Sequence, residues 1–483
     1  YPSYLARPGR WLDPALLGPV MRLSDAQGFA RRDDWVPGGE YPVPAVESQL
    51  LASPPAGIAV SSGLAAIVDR CRNGAELSTA NVEQLFKARG ADFAYVVEQA
   101  DQIRRASVGD RVSYVVNRNI NYTNVCYFKC QFCAFSKGKQ SENLRGRPYD
   151  ISGEEIARRC REAWSRGATE VCMQGGIHPD YTGQTYLDIL RTVRTATPAM
   201  HVHAFSPLEV WQGAETLGLS VEAFLAQLKQ AGLGTLPGTA AEILHEEVRA
   251  ILCPDKISGE QWLQVMETAH RAGLRTTATI MYGHVESPRH WAHHLLRIRH
   301  LQQRTGGFTE FVPLPFVHME APMYLKGRAR RGPTFREAVL MHAVARLVFC
   351  GLIDNIQTSW VKMGEQGVAA CLGAGANDLG GTLMNESITR AAGSGHGQEW
   401  SPEKMEALLS GMGRPARMRT TLYADPPAAQ QVAAFGASPL AAPRNESAGK
   451  RQRNKQIAVV EISRGVSRPA LREQQVFLMA ACD

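Results

Sequence analysis

Asn117-Arg-Asn-Ile-Asn-Tyr-Thr-Asn-Val-Cys126-Tyr-Phe-Lys-Cys130-Gln-Phe-Cys133-Ala-Phe135 runs from a strand-like segment into three cysteines within eight residues. The spacing is C-x3-C-x2-C, and no fourth cysteine lies nearby. Four thiolates would close the shell of an iron–sulfur cluster or a structural zinc. Three leave one metal corner open, and an iron with an open corner can hold a substrate as well as pass electrons. The loop is therefore a candidate site of chemistry. Two other readings use the same residues: zinc held by three thiolates and a distant histidine, and disulfides in an oxidising compartment. The tight spacing, with Phe132 just before the last cysteine, favours the cluster.

Outward from this loop the pattern is rhythmic. Strand-like runs near 120–125, 170–174, 201–205, 233–236, 276–281, 309–314, 355–361 and 376–381 alternate with amphipathic stretches at 153–165, 185–196, 221–230, 259–271 and 334–348. Such alternation makes parallel strands joined by crossover helices. Eight units over about 270 residues fit an α/β fold of the (β/α)8 type, closed or partly open, for which about 250 residues is usual. A doubly wound sheet is the alternative. The run at 233–236 is the weakest strand, being short and ending at Pro237. In a barrel, chemistry sits where strands end and βα loops begin, and the cysteine loop directly follows the first strand.

The flanks read differently. Residues 1–44 are rich in Pro, Gly and Arg and are expected to be a linker or the end of a preceding domain. Residues 45–112 are helical in pattern, with Leu64, Ile67, Val68 and Cys71 on one face, and form a small cap. The barrel is placed at 113–390 and a helical extension at 391–423. Residues 424–483 are Ala/Pro-rich, carry a basic run at 449–456 and resemble a strand only at 457–462; they are expected to be a mostly disordered tail.

Bulk composition narrows the function classes. A chain of 483 residues with ten cysteines is not a disulfide scaffold. The other seven cysteines are scattered singly and read as small buried apolar residues, so a reducing compartment fits best. The net charge of +7 is too evenly mixed for a nucleic-acid surface. No apolar run approaches the ~20 residues of a membrane span. The chain opens Tyr1-Pro2-Ser3 without a Met, so it reads as a piece of something longer whose targeting segment is out of view. The cytosol is the default location and a plastid the alternative.

C-x3-C-x2-C with an aromatic before the third cysteine, after the first strand of a β/α barrel, resembles the signature of radical S-adenosylmethionine (SAM) enzymes. The resemblance implies that Cys126, Cys130 and Cys133 bind a [4Fe–4S] cluster, that SAM chelates the open iron, and that Phe132 packs near its adenine. Met173-Gln174-Gly175-Gly176 resembles the glycine motif that approaches the methionyl amine, although many relatives have Gly-Gly-Glu there; an ordinary βα turn is the other reading. Ser206 and Glu209 follow the third strand and Glu286 the fifth. Either carboxylate is a candidate for the SAM ribose, and equally for a helix cap or an Arg pair.

The match narrows further. Asn117–Asn124, Cys133-Ala-Phe-Ser-Lys-Gly138, Val171-Cys-Met-Gln-Gly-Gly-Ile-His-Pro179, His201-Val-His-Ala-Phe-Ser-Pro-Leu-Glu-Val-Trp211 and Asn377-Asp-Leu-Gly-Gly-Thr-Leu-Met-Asn-Glu386 resemble the second radical SAM half of FO synthase. That is the 5-amino-6-(D-ribitylamino)uracil–L-tyrosine 4-hydroxyphenyl transferase family. The resemblance implies that a 4-hydroxybenzyl unit of L-tyrosine joins 5-amino-6-(D-ribitylamino)uracil, that a cyclase half, fused or separate, closes the deazaflavin ring, and that an electron donor is required. Residues 1–40 look like the end of that cyclase half, suggesting a truncated fusion. Candidate substrate contacts at strand ends are Gln174, His178, His203, Tyr282, His284, His318, Ser359, Asn377 and Asn385, each with a structural hydrogen bond as the competing role. The rival functions are a futalosine radical SAM enzyme of menaquinone synthesis and, from another class, a non-catalytic zinc-binding barrel.

Overall fold

The computed structural model describes residues 8–52, 60–136 and 147–444. Among these, the strands are β1 (Val112–Val115), β2 (Asn117–Asn121), β3 (Glu170–Gln174), β4 (His201–Ala204), β5 (Thr235–Leu236), β6 (Arg275–Tyr282), β7 (Phe308–Pro315), β8 (Asp378–Gly381) and β9 (Ala416–Arg419). Six form one parallel sheet in the order β2-β3-β4-β5-β6-β7. Single bridges carry the curve onward: Ile356 pairs with Phe311, Gln357 with Asp378, and Met384 with Arg118 back on β2. The Asn119 amide donates to the Met384 carbonyl at 3.1 Å, which closes the ring. The predicted eightfold α/β barrel is therefore present.

Several predicted strands differ in extent, the fourth keeping only Thr235–Leu236 and the eighth only Asp378–Gly381. The first ends at Asn121 rather than at 125, because Thr123 and Asn124 turn away to bond Tyr149 and Arg147 across the loop. The seventh is reduced to the bridges at Ile356 and Gln357, since the helix Trp360–Leu372 begins at once.

Side-chain alternation sets what faces the barrel axis. On β2, Arg118 and Ile120 are fully buried, and Arg118 reaches Glu162 on the helix Gly153–Ser165, so this face points outward. Asn117, Asn119 and Asn121 then point inward. The inward residues Asn119, Cys172, Met281 and Leu314 are only partly buried between buried neighbours, and Gln174 is likewise partly buried. The upper barrel interior is thus less completely covered than the outward face.

The predicted cap is present as the helices Ser62–Arg72, Thr79–Phe86 and Ala91–Val108. It packs on the helix Phe335–Val348, all of whose residues are buried. A helix covered on both sides is expected to be apolar all round. Its Arg346 is accommodated by the Gly375 and Asp354 carbonyls and by Asn377.

Both flanks hold packed segments. Residues 1–44 were expected to be a linker or the end of a preceding domain; in them Trp35 and Val36 are buried, and the Arg31 guanidinium donates to the carbonyls of Gly332, Trp35 and Pro333. The tail was placed from 424, yet the helix Ala428–Ala434 packs on Gly153–Ser165. Gln430 reaches the Trp164 and Ala168 carbonyls, so the ordered chain continues past 424 through this helix. The expected basic run at 449–456 and strand at 457–462 lie outside the described residues.

Candidate active site

The cysteine loop is fastened on two sides. Toward β3, the Gly176 amide donates to the Thr123 carbonyl at 2.8 Å, and Tyr127 donates to Ile177 at 3.1 Å. A Cβ on Gly176 would overlap the Val125 carbonyl, and one on Gly175 would overlap the Tyr122 ring. The glycine pair is therefore needed for the two loops to meet. On the far side, Gln131 donates to the Leu252 carbonyl at 2.9 Å and accepts from the Met323 amide at 2.8 Å.

Cys126, Cys130 and Cys133 are half-buried and line one cleft of about 470 Å³ with Val125, Pro179 and Lys326. Burial pushes the Cys130 and Cys133 thiols up. Bare thiolates are disfavoured there, and a bound metal would supply the missing positive charge. Three convergent cysteines at the C-terminal end of a barrel fit a cluster with one open iron. Phe132 lies beneath the Lys256 ammonium, 5.5 Å from the ring centre, and Lys256 is held by Glu242 at 2.8 Å.

The two carboxylates considered for the ribose are occupied otherwise. Glu209 accepts from the Ser206 amide and hydroxyl, both at 2.6 Å, from the Gly175 amide at 3.2 Å, and from the Tyr122 hydroxyl. With Ser206 it forms a capping box on the helix Pro207–Leu217. Burial raises its pKa in spite of these donors. Glu286 accepts from the amides of Gly283, His284 and Val285, from Trp291 at 2.9 Å, and pairs with Arg330. Burial opposes its ionisation, but His284 and Arg330 outweigh it and hold the carboxyl well below the usual range. In this structure Glu209 caps a helix and Glu286 pairs with Arg330, and the donors of the fold occupy their oxygens.

The remaining candidates separate by position. Gln174 stands in the accessible interior. His178 is stacked on Tyr181, 5.0 Å between ring centres. His203 lies lower, bonded to Thr235 at 2.7 Å, with burial holding its imidazole down to about 4. Tyr282 faces outward against Trp291, and His284 is fully buried, its Nε2 on the Met281 carbonyl at 3.0 Å. His318 packs on Tyr324. Ser359 precedes the helix Trp360–Leu372 as its N-cap. Asn377 and Asn385 serve Arg346 and Arg118. Of this set, Gln174 and His203 face the barrel interior by the alternation of their own strands, and of the two only Gln174 is partly exposed. Asn119 and Cys172 also face this interior and were not among the expected contacts; for Asn119 the alternation Asn117-x-Asn119-x-Asn121 carried the signal.

No helix among the described residues is long and apolar enough to cross a membrane. Residues 120–298 match the family model described as Radical SAM superfamily, and residues 305–432 match the CofH/MqnC C-terminal region. The chain is 46% identical over 351 residues to the 5-amino-6-(D-ribitylamino)uracil–L-tyrosine 4-hydroxyphenyl transferase of Methanocaldococcus jannaschii, covering 72% of this chain and 96% of that protein. It is 52% identical over 363 residues to the FO synthase of Nocardia farcinica, covering 75% of this chain and 42% of that one. Against the FO synthase of Streptomyces coelicolor it is 44% identical over 475 residues, covering 90% and 54%. The chain thus spans about half the length of the FO synthases it matches. Among solved structures, methylornithine synthase superposes with a TM-score of 0.56 at 19% identity, covering 73% of this chain and 97% of that one, a likeness of fold alone.

Proposed function

The chain belongs to the radical SAM superfamily and, within it, to the family of the M. jannaschii 4-hydroxyphenyl transferase, and on that premise we propose that it couples the 4-hydroxybenzyl unit of L-tyrosine to 5-amino-6-(D-ribitylamino)uracil. The observation that carries this reading is the identity across 96% of that relative, together with three thiols on one cleft at the barrel's C-terminal end. Cys126, Cys130 and Cys133 would hold a [4Fe–4S] cluster, which with SAM supplies hydrogen-atom abstraction when bound. The chain's own residues position and enclose. Gly175 and Gly176 let the β3 loop press on the cysteine loop and fix it. Asn119 and Gln174 offer amides to the carbonyl and N–H edges of a uracil, while Met281 and Leu314 offer apolar surface to a phenol ring. A few placed polar groups in an otherwise apolar pocket are what such a product requires. The reading also calls for an electron donor and for a cyclase activity acting on the product.

The test is an anaerobic assay of the reconstituted chain with SAM, dithionite, L-tyrosine and the ribitylaminouracil, read by mass spectrometry. The coupled product is expected. SAM cleavage without tyrosine consumption would reject the substrate assignment.

A further inference from the structure

Away from the cysteine cleft, His245, Glu247 and His290 bring one ligand atom each to within 4.8 Å of the others. They come from two separate βα segments. His245 is the N-cap of the helix Glu246–Leu252, after β5. His290 lies in the first turn of the helix Pro288–Thr305, after β6. The orientations suit a shared ion. His290 Nδ1 accepts from the Ser287 amide at 3.0 Å, which leaves Nε2 facing the Glu247 carboxylate at 3.6 Å. His245 Nδ1 is buried and has no hydrogen-bond partner. A buried ring nitrogen without a partner is costly unless something fills the place. The His245 ring also stands edge-on to those of His290, at 4.5 Å, and His293, at 4.9 Å.

We propose that His245, Glu247 and His290 form a mononuclear site for a divalent transition metal of the zinc class. Two imidazoles and one carboxylate are the donor set that Zn²⁺ and Co²⁺ accept readily, whereas Mg²⁺ and Ca²⁺ require oxygen ligands throughout. Three protein ligands leave a fourth position open to water. The site would tie the start of the helix Glu246–Leu252 to the start of Pro288–Thr305. The other end of the first helix carries the Leu252 carbonyl, which accepts the Gln131 amide of the cysteine loop. A metal here braces the frame behind that loop without entering its cleft. The Glu247 side chain is 81% exposed, so it can be changed without disturbing the core.

The experiment uses the anaerobically reconstituted holoenzyme, whose cluster already occupies the three thiolates. It is titrated with Co²⁺, followed by visible d–d absorption, and then challenged with Zn²⁺. A single saturable equivalent displaced by Zn²⁺ is expected, with binding at least tenfold weaker in Glu247→Gln and in His290→Ala while iron content stays at the wild-type level. Equal affinity in both variants, or no saturable signal in the wild type, would overturn the proposal. Should His290→Ala fail to fold, Glu247→Gln alone decides it.

Discussion

At the lower mouth of the barrel, Arg419 lies 2% exposed and spans Asp378, at 2.6 and 2.9 Å, and Glu310, at 3.3 Å. Tyr423 donates to Glu310 at 2.7 Å, and Thr421 and Asn117 both donate to Glu170 at 2.7 Å. At the upper mouth, three thiols share an open cleft and the inward Asn119 and Gln174 are partly exposed. The lower charges are closed upon one another by the end of β9 and the residues that follow it. Burial still lifts the Glu310 carboxyl to about 7 even with Arg419 beside it. The difference separates two uses of polar groups in one ring of strands. Below, Arg419, Thr421, Tyr423 and Asn117 all find carboxylate acceptors within the fold. Above, the three thiols line one cleft, where among the described residues only Cys133 Sγ is held, by the Ser136 amide at 3.3 Å. Barrels place chemistry at the C-terminal end and stability at the other, and here the partition can be traced to particular side chains.

The sharpest way to break this comparison is to exchange the two effects. Cys130→Ala is expected to bring cluster iron and turnover to background while leaving the chemical-denaturation midpoint near that of the wild-type apoprotein. A variant with wild-type iron content would remove Cys130 from the ligand set. Arg419→Met is expected to do the converse. Removing one partner of a buried ion pair costs about 3–5 kcal/mol because the other charge is left uncompensated. The loss should appear in urea denaturation, with cluster spectra intact in the fraction that remains folded. A change below about 1 kcal/mol would mean that the lower network is not what holds the barrel.

Gly176→Ala tests the junction between cleft and frame. The added Cβ would meet the Val125 backbone carbonyl, which cannot move without carrying Cys126 along. Overpacking of this kind costs about 1–3 kcal/mol. The expected outcome is reduced iron loading and slower SAM cleavage at nearly unchanged secondary structure by circular dichroism. Unchanged loading would show that the cysteine loop adjusts independently of the β3 loop.

Much of this was legible in the residues. The C-x3-C-x2-C spacing located the cleft, and strand–helix alternation gave the barrel, including the two-residue β5. What escaped was set by contacts distant in sequence. Glu209 and Glu286 look the same as ligand-binding carboxylates until Tyr122, Gly175 and Arg330 arrive to fill them. Tyr282 and His284 sit in a strand-end motif, yet their direction depends on Trp291 and on the bend at Gly283, whose φ of 101° few other residues adopt. Composition did not show how the flanks pack on the barrel, for one reason. Pro-, Gly- and Ala-rich segments bury little apolar area of their own, but Arg31 and Gln430 anchor them by hydrogen bonds to carbonyls of the barrel, which a hydrophobic pattern does not register.

The smallest expected effect concerns that second anchor. The Gln430 side chain is 6% exposed, and its amide donates to the Trp164 carbonyl at 3.1 Å and to the Ala168 carbonyl at 3.0 Å. These carbonyls end the helix Gly153–Ser165 and lead into β3, so the anchor holds the lower side of the strand whose upper end supports the cysteine loop. Each neutral hydrogen bond contributes about 1 kcal/mol net, and both acceptors sit in a packed turn where water replaces the amide poorly. Gln430→Ala is therefore expected to lower stability by about 1–2 kcal/mol, read as a shift of the urea midpoint at constant slope, with iron loading and SAM cleavage unchanged. Loss of cluster loading in this variant would mean that the lower side of β3 governs the cleft above it, and that the division between the two mouths is less complete than their side chains imply.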